Sequence, residues 1–220
     1  MVQSFEVAER NRRDIADGVI DFGQRIGIAG LAKRYGVSAM PVREAFRQLG
    51  GQGFIVLEPN KSARARDITE TCLAQLFEMH LAVEVVLARS APAVWKPTDT
   101  SAADAINDEL GAAAAAGDAE GALALIRRVY IYIYERADHA EAFETIDRHC
   151  LFMAALWERY GYAEDRLPGV LNDHWHIVRS LDANPILEIG MLTGAHAIKS
   201  HQQLLRQVRA ATAMPSAKSA

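Results

Sequence analysis

The sequence predicts a mainly α-helical protein in two parts, a winged helix-turn-helix over residues 1–66 and an all-helical bundle over residues 67–220. Two short helical patterns flank Gly36, and a tight turn at a glycine between short helices is typical of a helix-turn-helix. The strand-prone run FIVL at 54–57 follows directly and indicates a hairpin, the wing. In the second part, apolar residues recur at helical spacing almost without interruption. This order of helices and hairpin is more specific than any one of its pieces.

Composition and charge indicate a soluble cytoplasmic protein whose two parts carry net charges of opposite sign. The chain of 220 residues has a formal net charge of −4. Residues 1–66 hold 11 Lys and Arg against 7 Asp and Glu, a balance of +4, and residues 67–220 hold 13 against 21, a balance of −8. This asymmetry favours a basic module joined to an acidic one, although chance clustering of solvated charges would give the same counts.

Targeting and redox signals agree with a cytoplasmic location. The N-terminus lacks the apolar region of a signal peptide, and no apolar run approaches the roughly 18 residues of a membrane span. Cys72 and Cys150 lie far apart without metal-type spacing, which predicts reduced structural thiols.

Capping signals define the elements of the first part. Apolar residues among charges predict an amphipathic helix over residues 5–20, ended by the Gly18–Gly23 region. Gly36 is suited to the left-handed position that ends a helix at 28–36. Ser38 is suited to the N-cap of the next helix, and Pro41 to its first turn, where a missing N–H costs nothing. The predicted hairpin has its turn at Pro59–Asn60 and its second strand at Ala63–Arg66.

Helical periodicity accounts for the second part. The run VYIYIY at 129–134 has the composition of a strand, but apolar residues continue at helical spacing across it, so a helix is predicted there. Asn184 and Pro185 are suited to the cap and first residue of the last helix, and residues 210–220 are predicted to be a disordered tail. The predicted helices lie at 70–91, 100–118, 119–138, 141–160, 165–180 and about 186–209.

The helix predicted after Ser38 has the properties of a DNA-reading helix. Free backbone N–H groups and the dipole at a helix N-terminus favour phosphates. Val42 and Phe46 would face the core, which leaves Arg43 and Arg47 outward. Arg43, one turn into the helix, can reach a guanine edge or a phosphate. A solvated basic face on a small packing domain is the alternative interpretation.

The stretch LAKRYGVSAMPVREAFRQLGGQGFIVLEPNKSARAR resembles the winged helix-turn-helix of the GntR family of bacterial transcription regulators. The resemblance covers about residues 10–66 and is carried by LA, GVS, PVREA, L and GF in their usual relative positions. It implies operator DNA as a partner and a homodimer, since two-fold reading of paired half-sites needs two copies of the module. The predicted DNA-binding residues are Lys33, Arg34, Ser38, Ala39, Met40, Pro41, Arg43, Arg47 and Lys61.

Two positions of this part depart from the family pattern. Ala39 stands where the family usually has an arginine that often reads bases. This predicts an operator unlike the common family type, or a larger share of the readout for Arg43. Ser62 stands where the wing commonly has a glycine, so a close backbone approach to the minor groove is less favoured there.

The second part resembles the FCD effector-binding domain of the family's FadR-type branch over most of residues 70–210. The resemblance is carried by LFEMHLAVE at 76–84, by VYIYIYERADHA at 129–140, and by His174 and His196, which are 22 residues apart. It implies a small organic acid as effector, often bound through a divalent metal. The family holds that metal with an Asp, a His four residues later and two further His, because ligands four residues apart share one helix face.

This chain lacks half of that ligand set. Ile126 and Tyr130 stand at the positions of the Asp and the first His, and neither is a good metal ligand, so the set is incomplete. Three interpretations remain open for His174 and His196. They line a metal-free pocket where Tyr130 donates to a carboxylate, or they hold a metal with help from Asp173, His176 or a ligand atom, or they are buried structural histidines.

The predicted function is a ligand-responsive transcription regulator, a repressor rather than an enzyme. A regulator that has lost effector and metal binding and acts constitutively is one alternative. A histidine-dependent enzyme using NDHWH at 172–176 is another, but no nucleophile motif or phosphate loop accompanies it. His80 stands where the family often has the arginine of LFEMRLAVE-like helices. The predicted effector-binding residues are His80, Tyr130, His174 and His196.

Overall fold

The structure, a computed structural model, describes residues 2–58, 62–162, 166–183 and 186–213, and it has the predicted mainly helical architecture. The elements in chain order are α1 (Val2–Ala16), β1 (Arg25–Gly27), α2 (Ile28–Tyr35), α3 (Ala39–Gly51), β2 (Ile55–Glu58), β3 (Ser62–Ala65), α4 (Glu70–Ser90), α5 (Pro97–Ala115), α6 (Ala119–Tyr134), α7 (Ala140–Tyr160), α8 (Leu167–Ala183) and α9 (Ile186–Ala213).

The chain forms two compact units, and helix α7 contributes to both. The first unit comprises Met1–Cys72 with Leu151–Arg159, and the second comprises Leu73–Cys150 with Tyr160–Ala220. The division therefore differs from the predicted boundary between residues 66 and 67. It differs because the C-terminal part of α7 packs into the aromatic core of the first unit, a long-range contact that no local sequence signal reveals.

In the first unit, the turn between α2 and α3 forms as predicted. Gly36 adopts the left-handed conformation, with φ 67° and ψ 34°, and its N–H donates to the carbonyls of the last turn of α2. Ser38 has the extended conformation of an N-cap, but its side chain makes no capping hydrogen bond. Pro41 lies in the first turn of α3, where its lack of an N–H is tolerated.

The wing is a three-stranded antiparallel sheet in the order β1-β3-β2. Strands β2 and β3 form the predicted hairpin, with Ile55 opposite Ala65. Strand β1 was not predicted, because its three residues are too short to show alternation, and it exists through pairing with β3, where Ile26 lies opposite Ala63. The predicted turn at Pro59–Asn60 lies outside the described residues.

Several helix ends differ from the prediction, among them the ends of α1 and α9. Helix α1 ends at Ala16, not residue 20, because Gly18 has a φ of +75°, which is incompatible with a continuing helix. Helix α9 extends to Ala213, so the first four residues of the predicted tail are helical. Residues 214–220, Asn184 and Pro185 lie outside the described residues.

The second unit is a helical bundle around one main apolar core. Leu87 of α4, Val129 and Ile133 of α6, Ile146 of α7 and Ile177 of α8 are all buried in it. The run VYIYIY is helical, as predicted, because its residues at a spacing of four pack together on the buried face of α6.

Helix α4 also reaches the length and composition of a membrane span. An 18-residue window within residues 70–93 has a mean hydropathy of 1.4, which makes this helix long and apolar enough to span a membrane by length and composition only. Such a helix is weak evidence by itself, because core helices of soluble proteins pass the same test. Here α4 packs Leu73, Leu76 and Leu87 inward and buries a carboxylate, Glu84.

Candidate functional sites

Helix α3 packs against the core of the first unit through an apolar face and exposes residues of its opposite side to solvent. Val42, Ala45, Phe46 and Leu49 are buried, as the sequence predicted. At the N-terminal end, Ser38, Ala39 and Met40 are exposed, with Met40 64% exposed. The start of α3 therefore carries small or apolar exposed side chains and free backbone N–H groups.

The two arginines of α3 differ in their partners. Arg47 is exposed and pairs with Glu44, one turn earlier, at 2.6 Å between Nη1 and Oε1. Arg43 is half-buried, as is Pro41, and has no ion-pair partner in the part of the chain that the structure describes. Arg43 is thus available to an external acceptor without breaking an existing pair.

On α2, the two predicted basic residues also differ. Lys33 is exposed. The Nε of Arg34 lies 3.2 Å from Oδ2 of Asp14, which also accepts a hydrogen bond of 2.6 Å from the hydroxyl of Tyr35. Asp14 thereby attaches α1 to α2 and places Arg34 in a structural contact that sequence reasoning did not foresee.

The wing carries two arginines that sequence reasoning missed. Glu58 accepts hydrogen bonds from Arg25 at 2.9 Å and from Arg64 at 3.0 Å, which ties β1 and β3 to β2. Sequence reasoning missed them because they come together only when β1 pairs with β3, which places residues 39 positions apart in the chain opposite each other. Lys61 lies outside the described residues, and so does the side chain of Ser62.

The last part of α7 completes the first unit. The ring of Phe152 packs edge-on against Phe54, with 5.2 Å between centroids, and against Phe22 at 6.2 Å. Arg159 donates to Oδ1 of Asp21 at 2.6 Å. A helix that the sequence assigned wholly to the bundle therefore stabilises the unit that contains α3.

In the second unit, three predicted residues from different helices come together. The ring centroid of Tyr130 lies 4.9 Å from that of His174 and 5.5 Å from that of His196, and the two imidazoles are 5.4 Å apart. All three side chains are buried. Helices α6, α8 and α9 thus converge on one aromatic and polar cluster.

Asp173 lies beside this cluster and is surrounded by donors. Its carboxylate contacts Nδ1 of His196 at 3.1 Å, Nζ of Lys199 at 2.7 Å and Nη2 of Arg166 at 3.2 Å. Burial alone would raise the pKa of Asp173, but the hydrogen bonds from His196 and Lys199 hold it well below its usual range. Asp173 is therefore a carboxylate that already has its counter-charges.

His174 is neutral and has one free nitrogen. Burial, followed by the neighbouring His196, lowers the pKa of His174 well below its ordinary value. Its Nδ1 lies 3.2 Å from Oδ1 of Asn107, an acceptor, so Nδ1 carries the proton and Nε2 is an acceptor. Burial likewise lowers the pKa of His196, although Asp173 opposes the shift.

Several buried polar atoms around Tyr130 have no hydrogen-bond partner within the described ranges. Native interiors leave few such atoms unpaired, so a concentration of them indicates a position that water or a ligand completes. They are the hydroxyl of Tyr130, Nε2 of His174, Nδ2 of Asn107 and Nε of Arg166.

The residues present do not fit the metal that the resemblance implies. Among the described residues, no group of three or more His, Cys, Asp and Glu is placed to hold an ion. Ile126 contributes only carbon atoms, Asp173 is engaged by three donors, and His176 is exposed against Trp175. The predicted metal ligands His174 and His196 therefore lack the further ligands that a metal site requires.

A second buried polar group, Glu84, was missed by sequence reasoning. It is 2% exposed on α4, and the hydroxyl of Tyr134 donates to its Oε1. Its Oε2 has no hydrogen-bond partner among the described residues, and Nε2 of His80 lies 3.8 Å away. Burial raises the pKa of Glu84 to about 7. The available signal was its spacing of four residues from His80.

His80 itself is an aromatic neighbour of this group. Its ring stacks on His149 with 6.1 Å between centroids. Burial, followed by the positive charges that His149 and His196 would carry, lowers the pKa of His80 to about 3. At neutral pH His80 is therefore uncharged and supplies no counter-charge to Glu84.

A winged helix-turn-helix with an exposed recognition helix, joined to a helical domain with a buried polar cluster, defines a DNA-binding transcription regulator with an effector domain. The chain belongs to the GntR family: residues 3–64 match the bacterial regulatory proteins of the gntR family, and residues 75–199 match the FCD domain. It is a regulator and not an enzyme, as the sequence predicted.

Solved structures share this fold at low sequence identity. E. coli McbR/YncC is 18% identical, with a TM-score of 0.77 over 94% of this chain and 98% of that chain. The transcriptional regulator GntR from Rhodococcus sp. RHA1 is 19% identical, with a TM-score of 0.71 over 94% and 99%. Lar, which controls expression of the Listeria monocytogenes agr system, is 16% identical, with a TM-score of 0.67 over 92% and 96%. No curated protein matches the sequence.

The raised pKa of Glu84 predicts a pH-dependent stability. Its ordinary value is 4.5 and its folded value about 7, so its contribution to folding is complete below the unfolded pKa and is lost as the pH rises through about 7. Between about pH 5 and pH 8, the free energy of unfolding of Glu84→Gln should therefore rise by about 1–3 kcal/mol relative to that of the wild type, as measured by urea unfolding.

Glu78→Gln provides the control for this measurement, since Glu78 is exposed on the same helix. The difference between two proteins cancels the opposing contribution of His80, whose lowered pKa costs stability as the pH falls below its unfolded value. Parallel pH profiles for the wild type and Glu84→Gln would show that Glu84 is not buried as described.

Proposed function

We propose that the protein is a ligand-responsive repressor of the FadR-type branch, a cytoplasmic homodimer that binds operator DNA through α3 and a small carboxylate effector in the FCD domain. The observation that supports DNA reading is the start of α3, where exposed residues and free backbone N–H groups stand beside an unpaired arginine. Helix N-termini of this kind attract phosphates, and an arginine can reach base edges in the major groove.

The DNA contacts divide into two classes. Arg43, Met40 and Ala39 would face base edges, with Ser38 and Pro41 close to the backbone at the helix start. Lys33 and Lys61 would neutralise phosphates. Arg34 and Arg47 are paired with Asp14 and Glu44, so each would exchange a protein carboxylate for a phosphate on binding.

The effector site would be the cluster around Tyr130. A carboxylate accepts hydrogen bonds, and the unpartnered hydroxyl of Tyr130 and Nδ2 of Asn107 are donors. Arg166 and Lys199 together outweigh the charge of Asp173, which favours an anion nearby. The donor set thus supports a carboxylate held without a metal.

Helix α7 is the proposed coupling element between effector and DNA. Its first part contributes Ile146 to the bundle core, and its last part contributes Phe152 and Arg159 to the unit that contains α3. An effector that favours one position of α7 would bias the placement of the two recognition helices in the dimer. Such a ligand must bind the two states with different affinity.

An exposed apolar stripe on α9 supports the homodimer. Leu187, Met191 and Ile198 lie on one helix face and are 75%, 67% and 50% exposed. Exposed apolar side chains in a contiguous row mark an interaction surface. A second copy is the occupant that two-fold operator reading requires.

Replacement of the unpaired arginine tests the DNA-reading proposal. Arg43→Ala should weaken binding to an operator selected from random DNA by about 1–3 kcal/mol, because a bidentate base contact is lost. Fluorescence anisotropy at fixed salt measures the effect. Arg148→Ala, an exposed arginine of α7, should leave affinity unchanged. Equal affinities for Arg43→Ala and the wild type would exclude Arg43 from the readout.

Thermal-shift titration tests the effector class. Small carboxylates should raise the melting temperature, whereas Zn²⁺, Ni²⁺ or Mn²⁺ alone should not, because the ligand set is incomplete. Tyr130→Phe should reduce the response to carboxylates by removing a donor. Stabilisation by no acid would favour the constitutive regulator, and stoichiometric metal in the purified protein would contradict the metal-free site.

Introduction of negative charges on the apolar stripe of α9 tests the dimer. Leu187→Glu with Met191→Glu should give a monomer in size-exclusion chromatography with light scattering, since two buried carboxylates facing each other across a two-fold interface are unfavourable. Trp175→Glu on α8, where Trp175 is 49% exposed, is the matched control and should remain dimeric. Loss of the dimer in the control alone would place the interface on α8.

A further inference from the structure

Glu84 is a buried carboxylate without a counter-charge. It is 2% exposed, and only Oε1 receives a hydrogen bond, from Tyr134. Within the described ranges, the basic side chain at ion-pair distance is His80, whose Nε2 is 3.8 Å from Oε2. Ordinary buried carboxylates are paired with a cation or fully hydrogen-bonded, because desolvation of an unpaired charge is costly.

Position 80 explains why the counter-charge is missing. An arginine there, as in LFEMRLAVE-like helices, would lie one helical turn before Glu84 and could form an ion pair with it. This chain has histidine, which burial keeps neutral and whose Nδ1 has no hydrogen-bond partner among the residues that the structure describes. The side chain one helical turn before Glu84 is therefore an uncharged imidazole and not a cation.

The surroundings of Glu84 suit a cationic group. The rings of Tyr130 and Tyr134 are 5.7 Å apart and tilted by 30°, and Tyr134 is bonded to the carboxylate itself. Aromatic faces beside a carboxylate are the surroundings that bind organic ammonium groups, through cation–π attraction and ion pairing. A bare metal ion is disfavoured, since no described set of three ligands is present.

Tyr130 joins Glu84 to the proposed carboxylate site. Its hydroxyl has no partner in the part of the chain that the structure describes, and its ring contacts both His174 and Tyr134. Burial is the largest cause that raises the pKa of Tyr130, and the negative charges of Glu84 and Asp173 are the next largest. Asn107, His174, Tyr130, Tyr134 and Glu84 therefore form one continuous series of side-chain contacts.

We propose that the effector carries an ammonium group that binds Oε2 of Glu84, so that the ligand is an aminocarboxylate and not a simple acid. The ammonium donates to Glu84 and lies against the rings of Tyr130 and Tyr134, while the acid group accepts from Tyr130 and Asn107. This inference rests on the proposed effector site, to which it adds a binding position for a second, cationic group of the ligand.

Isosteric probes test this inference on the full-length protein. Thermal-shift and calorimetric titrations would compare ω-amino acids of three to six carbon atoms with acids in which a methyl group replaces the ammonium, such as 5-aminopentanoate with hexanoate. At least one amino acid should bind about tenfold or more tightly than its methyl isostere, as expected for a charge-assisted hydrogen bond. Equal or tighter binding of every methyl isostere would overturn the inference.

Three variants locate the effect. Glu84→Gln should abolish the preference for the ammonium while keeping binding of the acid, and His80→Arg should do the same by supplying an internal cation. Glu78→Gln, on the exposed side of α4, should keep the full preference. A preference that survives in a folded Glu84→Gln protein would place the ammonium elsewhere and overturn the assignment.

The outcomes separate the two proposals. Binding of acids without any gain from the ammonium rejects the inference and leaves the carboxylate effector intact. Binding of 1-aminopentane alone, lost in Glu84→Gln, supports the ammonium site and rejects the carboxylate end. Failure of every acid, amine and amino acid to bind rejects both.

Discussion

The sharing of α7 between the two compact units is the constraint on which both depend. Ile146 belongs to the core of the helical unit, whereas Phe152 fills the aromatic core of the other, against Phe54 and Phe22. An α-helix transmits displacement along its axis because its backbone hydrogen bonds are continuous. Each core therefore depends on residues of α7, Ile146 in one case and Phe152 in the other.

The sequence predicted what local chemistry determines. Gly36, Ser38 and Pro41 specified the turn before α3, and helical spacing outweighed the strand composition of VYIYIY. Features made by long-range contacts were not predictable: β1 exists through its partner strand, and the place of Phe152 in the first unit has no local signal.

The candidate sites also combine features that the local sequence predicts with features that only long-range packing determines. The exposure of Met40 and the burial of Phe46 follow from helical periodicity, and the convergence of Tyr130 with His174 and His196 followed from a family resemblance. The pairing of Arg34 with Asp14 and the isolation of Glu84 depend on which helices pack together. A charge count therefore identified the basic module but not which of its cations are already paired.

The departures from the family pattern have one electrostatic consequence in common. Ile126 and Tyr130 remove ligands for a divalent cation, and His80 replaces a permanently charged arginine with an imidazole that burial keeps neutral. The first two changes disfavour a bound cation and the third leaves an uncharged side chain at position 80, while Glu84 and Asp173 remain. Asp173 is compensated by Arg166 and Lys199, so the deficit falls on Glu84. A ligand that restores the missing cation would bind more tightly than one that brings only an acid, and the part of that affinity that differs between two conformations of the protein is the free energy available for regulation.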